Sequence, residues 1–153
     1  MSFDGSSLLF KSIPLQFTLS VDEKRALRVF AHELSQTITK SGTFCCVITD
    51  DKELQRLNRE FLHHDYPTDV LSFPQLEPNG EVGELAISIE RARAQADEFG
   101  HSLIDELRVL MLHGVLHLAG FDHERDKGEM ARTEHELRKK LGLPSGLIAR
   151  ARR

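Results

Sequence analysis

The sequence predicts a mixed α+β domain in which a small sheet of roughly four strands is covered by about five helices. Short β-rich segments alternate along the chain with segments whose apolar residues recur at helical spacing. One segment, residues 102–118, is apolar on almost every side, which predicts a central buried helix. The 153 residues contain no internal repeat and no Gly/Ser-rich linker. We therefore expect residues 1–153 to form a single domain.

The N-terminal part of the chain predicts one strand and one helix. We expect residues 14–19 to form a short strand after a loose start. Ser20 and Glu23 have the spacing of a capping box, which predicts that the first helix begins there. Gly42 is expected to end this helix. Its buried face is predicted to consist of Leu27, Phe30, Ala31, Leu34 and Ile38.

The middle of the chain predicts three further strands and a second helix. Residues 43–49 are rich in β-branched and aromatic side chains, and a helix follows from near Asp50. Residues 70–73 form the next predicted strand, which Pro74 closes, and residues 83–88 form the last one. The apolar positions in step on the second helix are Leu54, Leu57 and Phe61.

Three helices are expected to complete the domain. The first of them is capped by Ser88 and stopped by Gly100. The central buried helix over residues 102–118 comes next. The last helix is predicted to begin near Asp126, which has capping-box spacing with Glu129, and to continue to the region of Gly142.

The composition excludes several classes of protein. With 40% hydrophobic and 29% charged residues, the chain is neither disordered nor collagen-like. Its apolar runs are far shorter than the about 20 residues that span a membrane. Residues 1–7 lack a basic segment followed by an apolar stretch, so no secretion signal is predicted. We expect a cytoplasmic protein without a membrane partner.

Two smaller features have ordinary explanations. Cys45 and Cys46 are neighbours on a predicted strand, where their side chains point to opposite faces, so we expect them to be reduced. The net charge of −4 argues against a protein that coats nucleic acid nonspecifically. A basic tail nevertheless offers either a contact for an RNA backbone or a solvated helix end. Its cations are Arg138, Lys139, Lys140, Arg150, Arg152 and Arg153.

Three histidines interrupt the apolar surface of the central helix and its end. His113 and His117 are one helical turn apart, so their side chains share one face. Gly120 stands where a helix commonly ends in a left-handed turn. Such a turn would bring His123 back toward the first two histidines. The spacing therefore predicts a metal site made of three imidazoles.

Zinc suits such a site, because three protein ligands and one open position are typical of catalytic zinc. A zinc ion with an open position can activate water near neutral pH without a separate base. We expect the remaining histidines to be ordinary surface residues. They are His32, His63, His64, His101 and His135.

The histidine spacing is also similar to the metzincin protease motif, with one departure. In that motif a glutamate after the first histidine acts as the general base. Gly114 stands at this position and has no side chain that could accept a proton. A protease or small-molecule esterase therefore requires another carboxylate, such as Glu84 or Glu106, to reach the site. Glu106 is on the same helical stripe as His113 but about 10 Å away along the axis.

Two separated motifs resemble those of the YbeY family of bacterial rRNA maturation endoribonucleases. They are residues 113–123 (HGVLHLAGFDH) and residues 67–74 (PTDVLSFP). Leu57 and Asn58, residues 83–88, Met130 and Glu134 also fit the family in the family's order. The resemblance covers roughly residues 45–140.

The resemblance implies a zinc-dependent endoribonuclease specific for single strands. It implies a role in 16S rRNA 3′-end maturation and ribosome quality control, with ribosome-associated proteins as further partners. The family's metal ligands correspond to His113, His117 and His123, which would act in catalysis through one zinc ion per chain.

The resemblance also suggests residues for the substrate. Thr68, Asp69 and Ser72 would line the RNA cleft, and Asp122 would orient a ligand histidine or cap its turn. The chain departs from the family at Leu62, where many members have an arginine. Arg59 lies one helical turn earlier and is the candidate to contact the phosphate in its place.

A function of a different class stays open beside the nuclease. In this alternative the chain is a ribosome-assembly factor without catalytic activity, and its zinc ion only holds the C-terminal helices together. A fourth protein ligand closing the metal site would favour this alternative.

Overall fold

Four strands form one sheet in the computed structural model, which describes residues 6–40, 42–64, 68–75, 80–144 and 147–151. The strands are β1 (Ser7–Phe10), β2 (Thr43–Thr49), β3 (Val70–Pro74) and β4 (Glu81–Ser88). Their order in the sheet is β1-β2-β4-β3. The pairs β1/β2 and β2/β4 are parallel, whereas β3 runs antiparallel to β4 at the edge. The predicted mixed α+β fold is confirmed.

Six α-helices are present in the described ranges. They are α1 (Val21–Thr37), α2 (Asp51–Leu62), α3 (Ile89–Phe99), α4 (Leu103–Leu118), α5 (Glu129–Lys140) and α6 (Leu147–Ala151). The predicted N-caps at Ser20 and Ser88 are confirmed, because the side chain of each accepts a backbone hydrogen bond in the first turn. Ser20 forms the full capping box with Glu23, and Asp50, Ser88 and Ser102 cap the next helices in this way.

The sheet separates α2 from the larger hydrophobic core, which contains α1 and α4. Leu54 of α2 packs with Leu71 and Ala86 of the sheet in a small cluster. Leu85 and Ile87, the alternate residues of β4, lie in the main core with α4. This alternation is the period-two pattern of a strand that is covered on both faces. Helix α4 is buried along almost its whole length, as the sequence predicts.

Cys45 and Cys46 are both free, as expected. Cys46 is fully buried in the main core, and its partly exposed neighbour lies on β2 beside it. Burial raises the pKa of the Cys46 thiol far above its ordinary value, so this thiol stays protonated at neutral pH.

The predicted strand at residues 14–19 is wrong. A single turn of 3-10 helix covers Leu15–Phe17, and the first strand is β1, several residues earlier. Pro14 has no backbone N–H to donate to a sheet, and Leu15 is 90% exposed. Leu8, by contrast, is buried and pairs with Cys46 of β2.

Two predicted helix boundaries also differ from the structure. Helix α1 ends at Thr37 rather than at Gly42, and Lys40 adopts a positive φ of 53° in the turn that follows. Helix α5 begins at Glu129, with Gly128 rather than Asp126 at the N-cap. The Asp126 carboxylate instead accepts hydrogen bonds from the backbone N–H groups of Gly128, in the turn, and Met130, in the first turn of the helix. The sequence analysis did not predict α6.

Within the described ranges, no helix has both the length and the apolar character needed to cross a membrane.

Candidate metal centre

The three predicted histidines meet at the C-terminal end of α4. His113 and His117 are on one face of the helix, and Gly120 then adopts a φ of 102°. The left-handed turn reverses the chain, because glycine reaches this region without steric cost. His123 returns beside the other two, with ring centroids 5.3 Å from His113 and 5.2 Å from His117. Their nearest ligand nitrogens all lie within 4.8 Å of one another, which confirms the predicted cluster.

Two of the rings are oriented by acceptors on their outer sides. His117 Nδ1 lies 2.9 Å from the backbone oxygen of Phe121. His113 Nδ1 lies 2.9 Å from Oε2 of Glu134. A carbonyl and a carboxylate accept hydrogen bonds and do not donate them, so each Nδ1 carries the proton. Each Nε2 is then left with an unprotonated lone pair that points toward the cluster.

These two lone pairs face each other, and that arrangement fits a metal ion. Nε2 of His113 and Nε2 of His117 are 3.2 Å apart, although neither has a proton to share. Tetrahedral zinc, at about 2.0–2.1 Å from each nitrogen, places two ligand nitrogens about 3.3–3.4 Å apart. A cation between the imidazoles would relieve their repulsion. His123 completes a three-nitrogen donor set of the kind that binds zinc.

The protonation of His117 favours the same role. Burial, followed by the neighbouring His113 imidazole, lowers the pKa of His117 below its ordinary value. The neutral form therefore predominates at neutral pH, and neutral imidazole is the form that ligates metals.

Glu134 is a component of the site whose contact the sequence analysis did not predict. It lies on α5, 2% exposed, and orients His113 across 21 residues of sequence. A ligand histidine that donates its second N–H to a carboxylate is a common arrangement in metal sites. Glu134 stands one turn after the buried Met130. The spacing of Met130 and Glu134 places an acidic residue on the buried face of α5, and this pattern in the sequence could have indicated a buried contact for Glu134.

A cleft of about 730 Å³ opens beside the histidines and contains most of the predicted substrate residues. Thr68, Asp69 and Ser72 line it from β3 and the residues just before that strand. Asp122 and Glu124 line it from the turn after α4. The structure therefore brings the predicted residues Thr68, Asp69, Ser72 and Asp122 to the cleft beside the histidine cluster.

The predicted phosphate contact at Arg59 is placed elsewhere. Arg59 lines a separate surface depression together with Lys11 and Arg56. Leu62, one helical turn later, is the residue of α2 that lines the cleft. At about 100° per residue, the side chains of Arg59 and Leu62 leave the helix about 60° apart. The role of Arg59 toward phosphate stays a prediction.

Three of the cleft residues also have structural contacts. The Ser72 hydroxyl donates to the backbone oxygen of Gly114, which ties β3 to α4. The Asp69 carboxylate accepts from the backbone N–H of the next residue. Asp122 caps its own turn by accepting from the backbone N–H of Glu124. Their proposed roles toward RNA remain predictions.

The basic tail contains one residue that is not available to RNA. Arg150 is 8% exposed, and its guanidinium forms an ion pair with Glu106 at 2.7 Å, so its prediction as a backbone contact is wrong. Arg138 donates to the backbone oxygen of Leu143. Lys139 and Lys140 are exposed, whereas Arg152 and Arg153 lie outside the described residues.

The carboxylates considered as alternative bases do not serve the metal site. Glu106 is fully buried and contacts Arg150, Gln95 and His101, and Glu84 is an exposed residue of β4. The prediction that His101 is an ordinary surface histidine is wrong, because its side chain is 11% exposed and contacts Glu106 at 2.6 Å. His63, His64 and His135 are exposed as expected.

Gly114 has a packing reason for being glycine. A Cβ at this position would lie 2.7 Å from Leu85 Cδ2, which is inside van der Waals contact. A glutamate, as in the metzincin motif, therefore fits here only if the buried Leu85 side chain moves aside. The protease alternative loses its general base for a steric reason as well.

The chain matches known proteins over most of its length. The sequence profile of the family described as Endoribonuclease YbeY matches residues 15–142. An Endoribonuclease YbeY of Solibacter usitatus (strain Ellin6076) is 50% identical over 147 residues, which cover 96% of this chain and 95% of the relative. One of Koribacter versatilis (strain Ellin345) is 49% identical over 138 residues, or 90% of each chain.

A solved structure shares both the fold and part of the sequence. The solution structure of TM1509 from Thermotoga maritima aligns over 85% of each chain, with 26% identity and a TM-score of 0.59. The motifs around the histidine cluster, the family profile and these relatives agree with one another. This chain belongs to the YbeY endoribonuclease family.

Proposed function

We propose that this chain is a zinc-dependent endoribonuclease that cuts single-stranded RNA in the cleft beside His113, His117 and His123. We propose further that the activity resides in one domain spanning residues 1–153. Its natural substrate is the 3′ end of 16S rRNA, in the cytoplasm, in the course of ribosome maturation and quality control. Membership of an endoribonuclease family supports the RNA substrate.

One observation carries the proposal of a metal. Two Nε2 atoms face each other at 3.2 Å, and both of their Nδ1 atoms are committed to acceptors. Among the described residues, the group that offers metal-ligand atoms at this place consists of the three histidines. This donor number is the one found in catalytic zinc sites.

The chain's own residues would bind and orient the RNA. Zinc, when bound, supplies Lewis-acid chemistry at a phosphoryl oxygen and a source of hydroxide near neutral pH. Glu134 and the Phe121 carbonyl hold the imidazoles in place, so that little reorganisation is needed during the reaction. Thr68 lines the cleft and offers a hydroxyl to ribose or phosphate oxygens.

The charge of the cleft makes RNA binding depend on the metal. Among the described residues that line it, the charged side chains are Asp69, Asp122 and Glu124, all of them acidic. RNA is a polyanion, and its binding is dominated by cations that neutralise phosphates. In this cleft the bound metal would supply that positive charge. Removal of the metal should therefore weaken RNA binding as well as cleavage.

The test is cleavage of a fluorescent single-stranded RNA by zinc-loaded protein. A chelated sample, His117→Ala and the exposed-histidine control His135→Ala are measured alongside, with a duplex of the same sequence as second substrate. We expect cleavage of the single strand by the native protein and by His135→Ala only. Cleavage by the chelated sample or by metal-free His117→Ala would contradict the proposal.

The assembly-factor alternative has its own outcome in this experiment. If protein that holds one zinc per chain does not cut free RNA, small ribosomal subunits with unprocessed 16S rRNA are supplied as substrate. Cutting there would indicate a nuclease that requires the ribosome. Absence of cutting on both substrates would favour a zinc-containing assembly factor.

A further inference from the structure

Glu134 connects the metal centre to the C-terminal helix. Its Oε2 lies 2.9 Å from Nδ1 of His113, and its Oε1 accepts from the backbone N–H of Ile148 at 2.9 Å. The carboxylate is 2% exposed and both oxygens are used by groups that donate. A change in the position of Ile148, on α6, therefore reaches the His113 imidazole through the one carboxylate that both groups contact.

Helix α6 is held in place by a second buried group. The Arg150 guanidinium forms its ion pair with Glu106 where the two side chains are 4% and 0% exposed. Gln95 donates to the same Glu106 oxygen at 2.9 Å, and Arg150 lies 4.5 Å above the ring of Phe99. A five-residue helix is too short to be stable alone, so these contacts determine where α6 lies.

A buried ion pair of this kind determines position more than it adds stability. The cost of removing both charges from water offsets much of their attraction, and buried polar groups can instead specify one arrangement. If α6 left its place, Glu134 Oε1 would lose its donor inside the protein. A buried acceptor without a donor is destabilising, so the carboxylate would rotate or admit water. His113 would then lose the group that orients it.

We propose that Glu134 is a positioning residue for His113 and that the docking of α6 through Arg150 fixes the orientation of Glu134. The C-terminal segment thereby contributes to metal binding through its position, in addition to any role of its exposed cations. This inference rests on the proposed role of His113 as a metal ligand, but it does not depend on RNA being the substrate.

The first test measures zinc affinity by competition with a chromophoric chelator. Glu134→Gln has the same shape, but its amide offers an acceptor to only one of the two donors. We expect it to lower zinc affinity on the order of 10- to 100-fold, the usual effect of losing such a partner. Arg150→Met keeps the apolar stem and removes the ion pair, and we expect a loss of zinc affinity that is measurable but smaller than in Glu134→Gln, because Arg150 acts through Glu134.

Lys139→Met is the matched control, because it removes an exposed cation from the same C-terminal region. We expect its zinc affinity to equal that of the native protein. The double variant Glu134→Gln/Arg150→Met should bind zinc no more weakly than Glu134→Gln alone, since Arg150 acts through Glu134. Native affinity in Arg150→Met, or multiplied losses in the double variant, would overturn the inference.

A spectroscopic measurement separates positioning from general loss of structure. Nitrogen NMR of the metal-free protein reports which nitrogen of His113 carries the proton. We expect the Nδ1-protonated form in the native protein and in Lys139→Met, and a mixture of the two forms in Glu134→Gln. If Arg150→Met does not fold, Glu134→Gln still tests the inference, because it leaves the Arg150–Glu106 pair in place. An unchanged His113 signal in folded Glu134→Gln would contradict the inference.

Discussion

The two ends of α4 each hold a histidine against a buried glutamate, yet they differ in what the pair does. Near the N-terminal end, His101 contacts Glu106 at 2.6 Å, and at the C-terminal end His113 contacts Glu134 at 2.9 Å. Glu106 also faces the cation of Arg150, whereas Glu134 otherwise faces a backbone N–H. The first carboxylate belongs to an ion-pair network.

The imidazole rings of His101 and His113 also differ in which nitrogen contacts the carboxylate. His101 uses Nε2 to contact its carboxylate. His113 uses Nδ1, which leaves Nε2 directed at the corresponding atom of His117. A buried His–Glu contact therefore does not identify a metal site by itself. The second nitrogen of the ring, and the group that it faces, distinguish a ligand from a structural histidine.

The largest expected difference between the two ends is in metal content. His113→Ala should bind zinc at least about 100-fold more weakly, because one of three ligands is lost. His101→Ala should retain one zinc per chain and lose about 1–3 kcal/mol of stability from the missing hydrogen bond. Zinc titration and urea unfolding measure both quantities. A loss of zinc in His101→Ala would remove the distinction between the ends.

The next expected effect concerns the ion pair at the N-terminal end. Glu106→Gln removes the buried carboxylate charge that Arg150 contacts at 2.7 Å, and we expect a loss of about 3–5 kcal/mol in the free energy of unfolding. Arg150→Met in the same chain should recover part of that loss, since the buried cation is then gone. Urea unfolding of the metal-free proteins measures the free energy of unfolding of both variants. If the double variant is less stable than Glu106→Gln, the charge is not the cause.

Packing against the sheet gives a smaller effect at the C-terminal end. Gly114→Ala places a methyl group 2.7 Å from Leu85 Cδ2, and Leu85 is itself 1% exposed. We expect a loss of about 1–3 kcal/mol from overpacking, despite the better helix propensity of alanine. Leu85→Val should recover stability when combined with it. Equal stability of Gly114→Ala and the native protein would show that the sheet yields at this point.

The smallest expected effect comes from the cap at the start of α4. The Ser102 hydroxyl accepts from the backbone N–H of Asp105 at 3.1 Å. Ser102→Ala should cost about 1 kcal/mol of stability. Zinc affinity should be unchanged, because the cap lies at the opposite end from the histidines. Thermal unfolding and chelator competition check the two statements, and a weaker zinc site would indicate coupling along the helix.

The sequence predicts the metal centre better than its surroundings. His113, His117 and His123 are close in sequence, so helical spacing and the glycine turn suffice to bring them together. Glu134 is 21 residues from its histidine, and only tertiary packing shows that contact. Arg150 is a second example. Its charge predicts an exposed side chain, and only the tertiary structure shows that it is buried against Glu106.

The errors in secondary structure have a similar origin. The stretch at residues 14–19 has the composition of a strand, but the edge of β2 is occupied by residues 7–10 instead. Which segment pairs with a sheet depends on non-local contacts, and these outweigh weak local propensity. Helix α6 is too short for a periodic pattern, and it owes its place to buried contacts of Ile148 and Arg150.

X-ray absorption at the zinc edge of the zinc-loaded protein tests the central claim most directly. The account predicts three imidazole nitrogens at about 2.0–2.1 Å from zinc and one further light atom from solvent. His123→Ala should reduce the imidazole signal to two nitrogens. A native spectrum with a sulfur ligand, or with a fourth ligand from the protein closing the site, would contradict the account.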